Sequence, residues 1–133
     1  MAQFGRKHSR GFTLIELMIV ISNMMILMAI AIPSYTQSDL QAKESVLKQN
    51  LFTLRNVISQ YTLDKAKAPQ SLEDLRTAGY LRDIPKDPFT NAADWTTDQE
   101  DSVMSVDQQE PGIWDVHSAS TQVGSDGTAY NTW

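Results

Sequence analysis

Two sets of residues in this chain of 133 have types and spacing that could do chemistry. Glu16 is the single charged side chain among the 21 residues from Phe12 to Ile32. A carboxylate at a helix centre in lipid costs about 2.5–3.5 kcal/mol on insertion scales, and less within a turn of the interface, where it can snorkel to water. It either sits there cheaply or pairs with a cation brought to it. Asp115 and His117 stand two apart in a segment of alternating character, so a strand would place them on one face, as a structural ion pair or as an acid/base couple. The first reading is the more common fate of such a pair. No nucleophile motif, phosphate-binding loop or thiolate metal site accompanies them, and the chain has no cysteine.

Glu16 must ride on a long apolar helix. At about 1.5 Å per residue, residues 12–32 span about 30 Å, the thickness of a bilayer's hydrocarbon core. Arg6, Lys7, His8 and Arg10 precede the span with no acid among them, which predicts a cytoplasmic N-terminus, one crossing, and export of the remaining hundred or so residues. Ser22 and Asn23 fall near mid-membrane, either bonded across an interface with identical helices or, for the serine, back to its own helix. Pro33 lacks an N–H and predicts a kink at the membrane exit.

Beyond Pro33 the helical pattern continues. Leu40, Leu47, Leu51, Leu54, Ile58 and Tyr61 form one stripe flanked by Val46 and Val57, while Lys43, Glu44, Lys48, Gln49, Arg55 and Asn56 are assigned to the opposite, solvated face. The expectation is one kinked helix over 12–63, amphipathic from 34 to 63. Ser71 to Asp74 reads as a capping box opening a short helix that ends at Gly79. Two or three antiparallel strands follow, one near Ser102 to Val106 and one from Ile113 to His117, before a turn-rich tail. The fold class is therefore α+β: a long N-terminal helix against a small antiparallel sheet.

The run Arg10-Gly-Phe-Thr-Leu-Ile-Glu-Leu17 resembles the signature of type IV pilins and pseudopilins. The resemblance implies that a prepilin peptidase cuts after Gly11 and methylates the new N-terminus at Phe12. It also implies that Glu16 pairs with the Phe12 ammonium of a neighbouring subunit, and that Pro33 lets the helix melt partially on assembly. The run Gly79-Tyr-Leu-Arg-Asp-Ile-Pro-Lys-Asp-Pro-Phe89 with Asn91, and the segment Gly112 to Ser118, are most similar to the major pseudopilin of type II secretion. Thr90 stands where that family usually has glycine. The lack of cysteine fits this branch better than disulfide-closed type IVa pilins.

The family thus implies a cleaved leader, 1–11, a membrane-spanning and filament-core half-helix, 12–33, and a periplasmic head, 34–133. The subunit is expected to be structural rather than enzymatic. It would be anchored in the bacterial inner membrane and polymerise with copies of itself, with an assembly platform and minor pseudopilins as partners, to drive protein export. Type II major pseudopilins also bind calcium in the C-terminal loop. Here Asp126, Ser125 and Asp115 are the candidate ligands, a short set for a cation that wants six to eight oxygens, and Asp126-Gly127 reads equally as a simple turn. The chain carries 11 basic and 16 acidic groups; loss of Arg6, Lys7 and Arg10 leaves 8 against 16, net −8, which gives no electrostatic footprint for nucleic acid. The alternatives are a type IV pilin or minor pseudopilin serving adhesion or motility, and an anchored or secreted soluble domain cut at the small-x-small site Ala29-Ile-Ala31.

Overall fold

The computed structural model of the chain describes residues 11–102, 106–107 and 110–133. The basic leader before Gly11 and most of the strand expected near Ser102 to Val106 lie outside the described residues. Helix α1, Leu14–Lys65, is followed by α2, Leu72–Thr77, strands β1, Thr96–Gln99, and β2, Ile113–His117, and a final 3-10 turn, Tyr130–Thr132. The chain divides into two compact units, a first ending at Ser38 and a second, Asp39–Trp133.

In the first unit α1 starts where Thr13 accepts a hydrogen bond from the Glu16 backbone N–H through its hydroxyl at 3.2 Å, filling one of the donors a helix N-terminus leaves open. The helix continues through Pro33. The hydroxyls of Ser34, Thr36 and Ser38 donate to the carbonyls of Ile30, Pro33 and Ser34, giving this turn extra side-chain bonding where proline has removed a backbone donor. Ser22 likewise donates to the Met18 carbonyl at 2.8 Å, so its polar group is satisfied within its own helix.

The second unit is built on α1. Glu44, Leu47, Leu51, Leu54, Val57 and Ile58 are its buried positions. The apolar ones form a core with Leu75 of α2, Trp95, Ile113 and Val116 of β2, and Tyr130. The burial of Glu44 corrects the sequence expectation that placed it on the solvated face. Counting from Leu40, spacings of four and three lead through Glu44 to Leu47, so the residue lies on the core stripe by geometry and was assigned outward by its charge.

Helix α2 opens with both bonds of the Ser71/Asp74 capping box. It closes with Gly79 at φ +84, the Gly79 N–H on the Arg76 carbonyl and the Tyr80 N–H on the Leu75 carbonyl, a left-handed cap that suits glycine. In the loop that follows, Asn91 takes φ 55, a conformation asparagine tolerates. The Trp95 indole N–H fixes the loop by donating to the Pro85 carbonyl at 2.7 Å.

Strands β1 and β2 pair antiparallel, with Asp98 opposite Asp115 and Gln99 opposite Ile113. That register skips Trp114, which bulges outward and is 57% exposed. The bulge explains why both Ile113 and Val116 are buried, where unbroken alternation would put them on opposite faces.

Candidate functional site

The residues assigned to processing and assembly lie on the first unit. Among the described residues beyond its chain neighbours, Gly11 has no atom within 4 Å of where a side chain would begin, and its φ lies outside the left-handed region. Phe12 is exposed, and Glu16 stands in the first turn of α1 on the residue whose N–H Thr13 caps. Every large apolar side chain from Phe12 to Ile32 is exposed, from Val20 at 42% to Phe12 at 86%. Among the described residues α1 is the helix long and apolar enough to cross a membrane. Pro33 lies within α1, one turn before Gln37.

The three residues expected to hold calcium lie on the second unit, and each is committed to a different protein partner. Asp115 Oδ1 accepts from Arg55 Nε at 2.6 Å and from the Val116 N–H at 2.8 Å. Asp126 Oδ1 accepts from the N–H and the hydroxyl of Thr128, at 2.9 and 2.7 Å, and those bonds hold its carboxyl below the usual range. Ser125 donates both its N–H and its hydroxyl to Glu44. A calcium ion needs converging oxygens, and among the described residues the cluster of ligand atoms that contains Asp115 does not contain Asp126, while Ser125 turns its donors to Glu44. The three residues do not fit a calcium site.

A different group does converge. Ligand atoms of Asp98, Asp115 and His117 lie within 4.8 Å of one another. His117 Nε2 is 3.0 Å from Asp98 Oδ2 and 3.6 Å from Asp115 Oδ2, and Nδ1 is 2.7 Å from the Trp133 backbone oxygen. Arg55 reaches the same oxygen at 2.8 Å and the Val116 carbonyl at 3.0 Å. Opposed carboxylates across a strand pair repel, and the Arg55 guanidinium on Asp115 offsets that repulsion. The arrangement is thus a polar tie between the sheet, α1 and the chain's last described residue. It accords with the structural reading of His117 and Asp115.

Sequence reasoning missed Asp98 and Arg55 in this tie, Thr13 as the cap of α1, and Glu44. The Thr13-Leu-Ile-Glu16 spacing is itself a capping-box pattern and could have revealed the cap. The long-range partners Asp98 and Arg55, which are 17 and 60 positions from Asp115, left no local signal.

A family model described as "Prokaryotic N-terminal methylation motif" matches residues 6–32. The type II secretion system core protein G of Escherichia coli (strain K12) is 30% identical over 126 residues, covering 83% of this chain and 80% of that protein. The corresponding protein of Pseudomonas aeruginosa is 29% identical over 65% of this chain and 72% of its own length. Competence protein ComGC of Halalkalibacterium halodurans is 32% identical over 56% of this chain and 72% of that protein. No solved structure matches.

Proposed function

Because the chain belongs to the pilin-like family that includes the type II secretion system core protein G, we propose that it is a major pseudopilin, a structural subunit of a pilus-like filament that drives protein export. Residues 1–11 act as a cytoplasmic leader that a prepilin peptidase removes after Gly11 before methylating Phe12. Residues 12–33 hold the subunit in the inner membrane and then form the filament core, and residues 34–133 form the periplasmic head. The observation that carries the reading is the apolar half of α1, exposed along its whole length from Phe12 to Ile32. Lipid covers such a surface before assembly, and copies of the same helix cover it afterwards.

Cleavage would create an ammonium on Phe12, and Glu16 is the one acid on the apolar stretch that could neutralise it in a neighbour. In the low dielectric of a packed filament core that attraction strengthens. Pro33 and the hydroxyls of Ser34, Thr36 and Ser38 give the helix a turn that can trade backbone bonds for side-chain bonds during extraction. The head, with its acid excess, suits assembly with secretion partners rather than contact with nucleic acid.

The test is co-expression of the chain with a prepilin peptidase and a secretion assembly platform, followed by electron microscopy of sheared filaments. Filaments are expected from the unaltered chain, with a loss of tenfold or so from E16A at unchanged leader cleavage. Normal filament yield from E16A would remove Glu16 from the proposal, and no filaments from the unaltered chain would contradict the reading.

A further inference from the structure

The C-terminal loop is built around a carboxylate. Glu44, only 5% exposed, projects from α1 into the loop. Its Oε1 accepts from the Ser125 N–H at 2.7 Å and the Tyr130 hydroxyl at 2.9 Å, and its Oε2 accepts from the Ser125 hydroxyl at 2.6 Å. Three donors thus converge from the loop on one anion. Charge-assisted bonds of this kind are about twice as strong as neutral ones.

The packing around that anion is close. A side chain at Gly124 would begin 3.2 Å from Glu44 Oε1, 3.0 Å from the Tyr130 ring and 2.8 Å from the Trp133 ring. Tyr130 is fully buried, stacked on Phe89 at 3.9 Å and edge-on to Trp133 at 4.9 Å. Lys48, one turn along α1, lies 4.6 Å from the Trp133 ring centre and supplies a nearby positive charge. The Gly124 N–H donates to the Thr128 carbonyl, and Val123 bridges to Ala129, closing the loop on itself. The Glu44 oxygens thus face N–H and O–H donors, and the space beside them is taken up by Gly124 and the Tyr130 and Trp133 rings, whereas a calcium ion calls for six to eight converging oxygens.

We propose that the Glu44 carboxylate fastens the C-terminal loop in the place a calcium ion would take, so that this head folds and holds its loop without the ion. The helix supplies the centre of the loop, and the loop supplies donors instead of acceptors. The inference concerns the head alone and depends on neither leader cleavage nor filament assembly.

The experiment uses the full chain in detergent micelles, in calcium chloride, in magnesium chloride at equal ionic strength, or in chelator. It follows thermal unfolding and amide exchange over residues 122–133. The expected result is one melting temperature and one protection pattern in all three. A head that bound calcium at a hundred times its Kd would instead melt about 10 °C or more higher, which overturns the proposal. E44A is expected to raise exchange across the loop by about tenfold or more, with no recovery in calcium. Recovery in calcium, or unchanged exchange, contradicts it. If E44A does not fold, S125A and Y130F each remove one hydroxyl donor and leave the carboxylate; loosening of the loop in at least one of them supports the proposal, and loosening in neither overturns it.

Discussion

Asp87 illustrates how single side chains hold the head. It is fully buried, its Oδ1 accepts the Phe89 N–H at 2.8 Å, and its Oδ2 accepts the Ser118 hydroxyl. Ser118 Oγ in turn accepts the Ser120 N–H at 3.1 Å. One carboxylate therefore ties the Asp87-Pro88-Phe89 loop to the segment after β2. Alanine there strands one buried and one part-buried donor, and we expect D87A to lose about 3 kcal/mol, read as a fall of about 10 °C or more in the melting temperature. D87N, which keeps an acceptor, should lose less; equal losses would mean that charge and not bonding carries the effect. The family-like run through Asp87 was legible in the sequence, but its tie to Ser118, 31 positions on, was not. Glu44 was misread for a related reason. A charged residue on a core stripe is assigned outward unless its donors are known, and those donors lie 81 and 86 positions away.

At the level of elements, α1 was legible nearly to the residue because its apolar period runs unbroken from the span into the head. The capping box of α2 and the glycine that ends it were legible for the same reason, being local chemistry. The sheet was less so. Only the bulge at Trp114 explains which faces of β2 are buried, and a bulge depends on the partner strand. Within α1, Leu54 is completely buried and Phe52 is 62% exposed. We expect L54A to destabilise the unassembled head by about 2–5 kcal/mol and F52A to stay within about 0.5 kcal/mol, measured by urea unfolding followed through tryptophan fluorescence. A large loss from F52A in the unassembled chain would show that the burial of this half of α1 has been misassigned.

For the whole molecule, the fastening of the loop predicts how stability depends on pH. The bonds from Ser125 hold the Glu44 carboxyl below its ordinary 4.5, assisted by Tyr130 and by Lys48. A lowered folded value stabilises above the unfolded value and is lost as pH falls through the folded one. Burial, then the bond to Glu44 and the charge of Asp126, push the Tyr130 hydroxyl up to about 12 from 10. A raised folded value stabilises below 10 and is lost as pH rises toward 12. Urea midpoints should therefore form a plateau bounded on the acid side by Glu44 and on the alkaline side by Tyr130. E44A should flatten the acid limb; an acid limb unchanged in E44A would assign it to other carboxylates.

The two units differ in character: among the described residues the first exposes an apolar helix half, and the second, acidic by sequence, has a packed core. That pairing, together with the signature from Arg10 to Leu17, carries the proposal that the chain is a processed filament subunit. The mass of the mature N-terminus in membranes that contain a prepilin peptidase tests it most directly. A chain beginning at methylated Phe12 is the predicted result. A chain that retains Met1, or one that begins at Ile32, would contradict it.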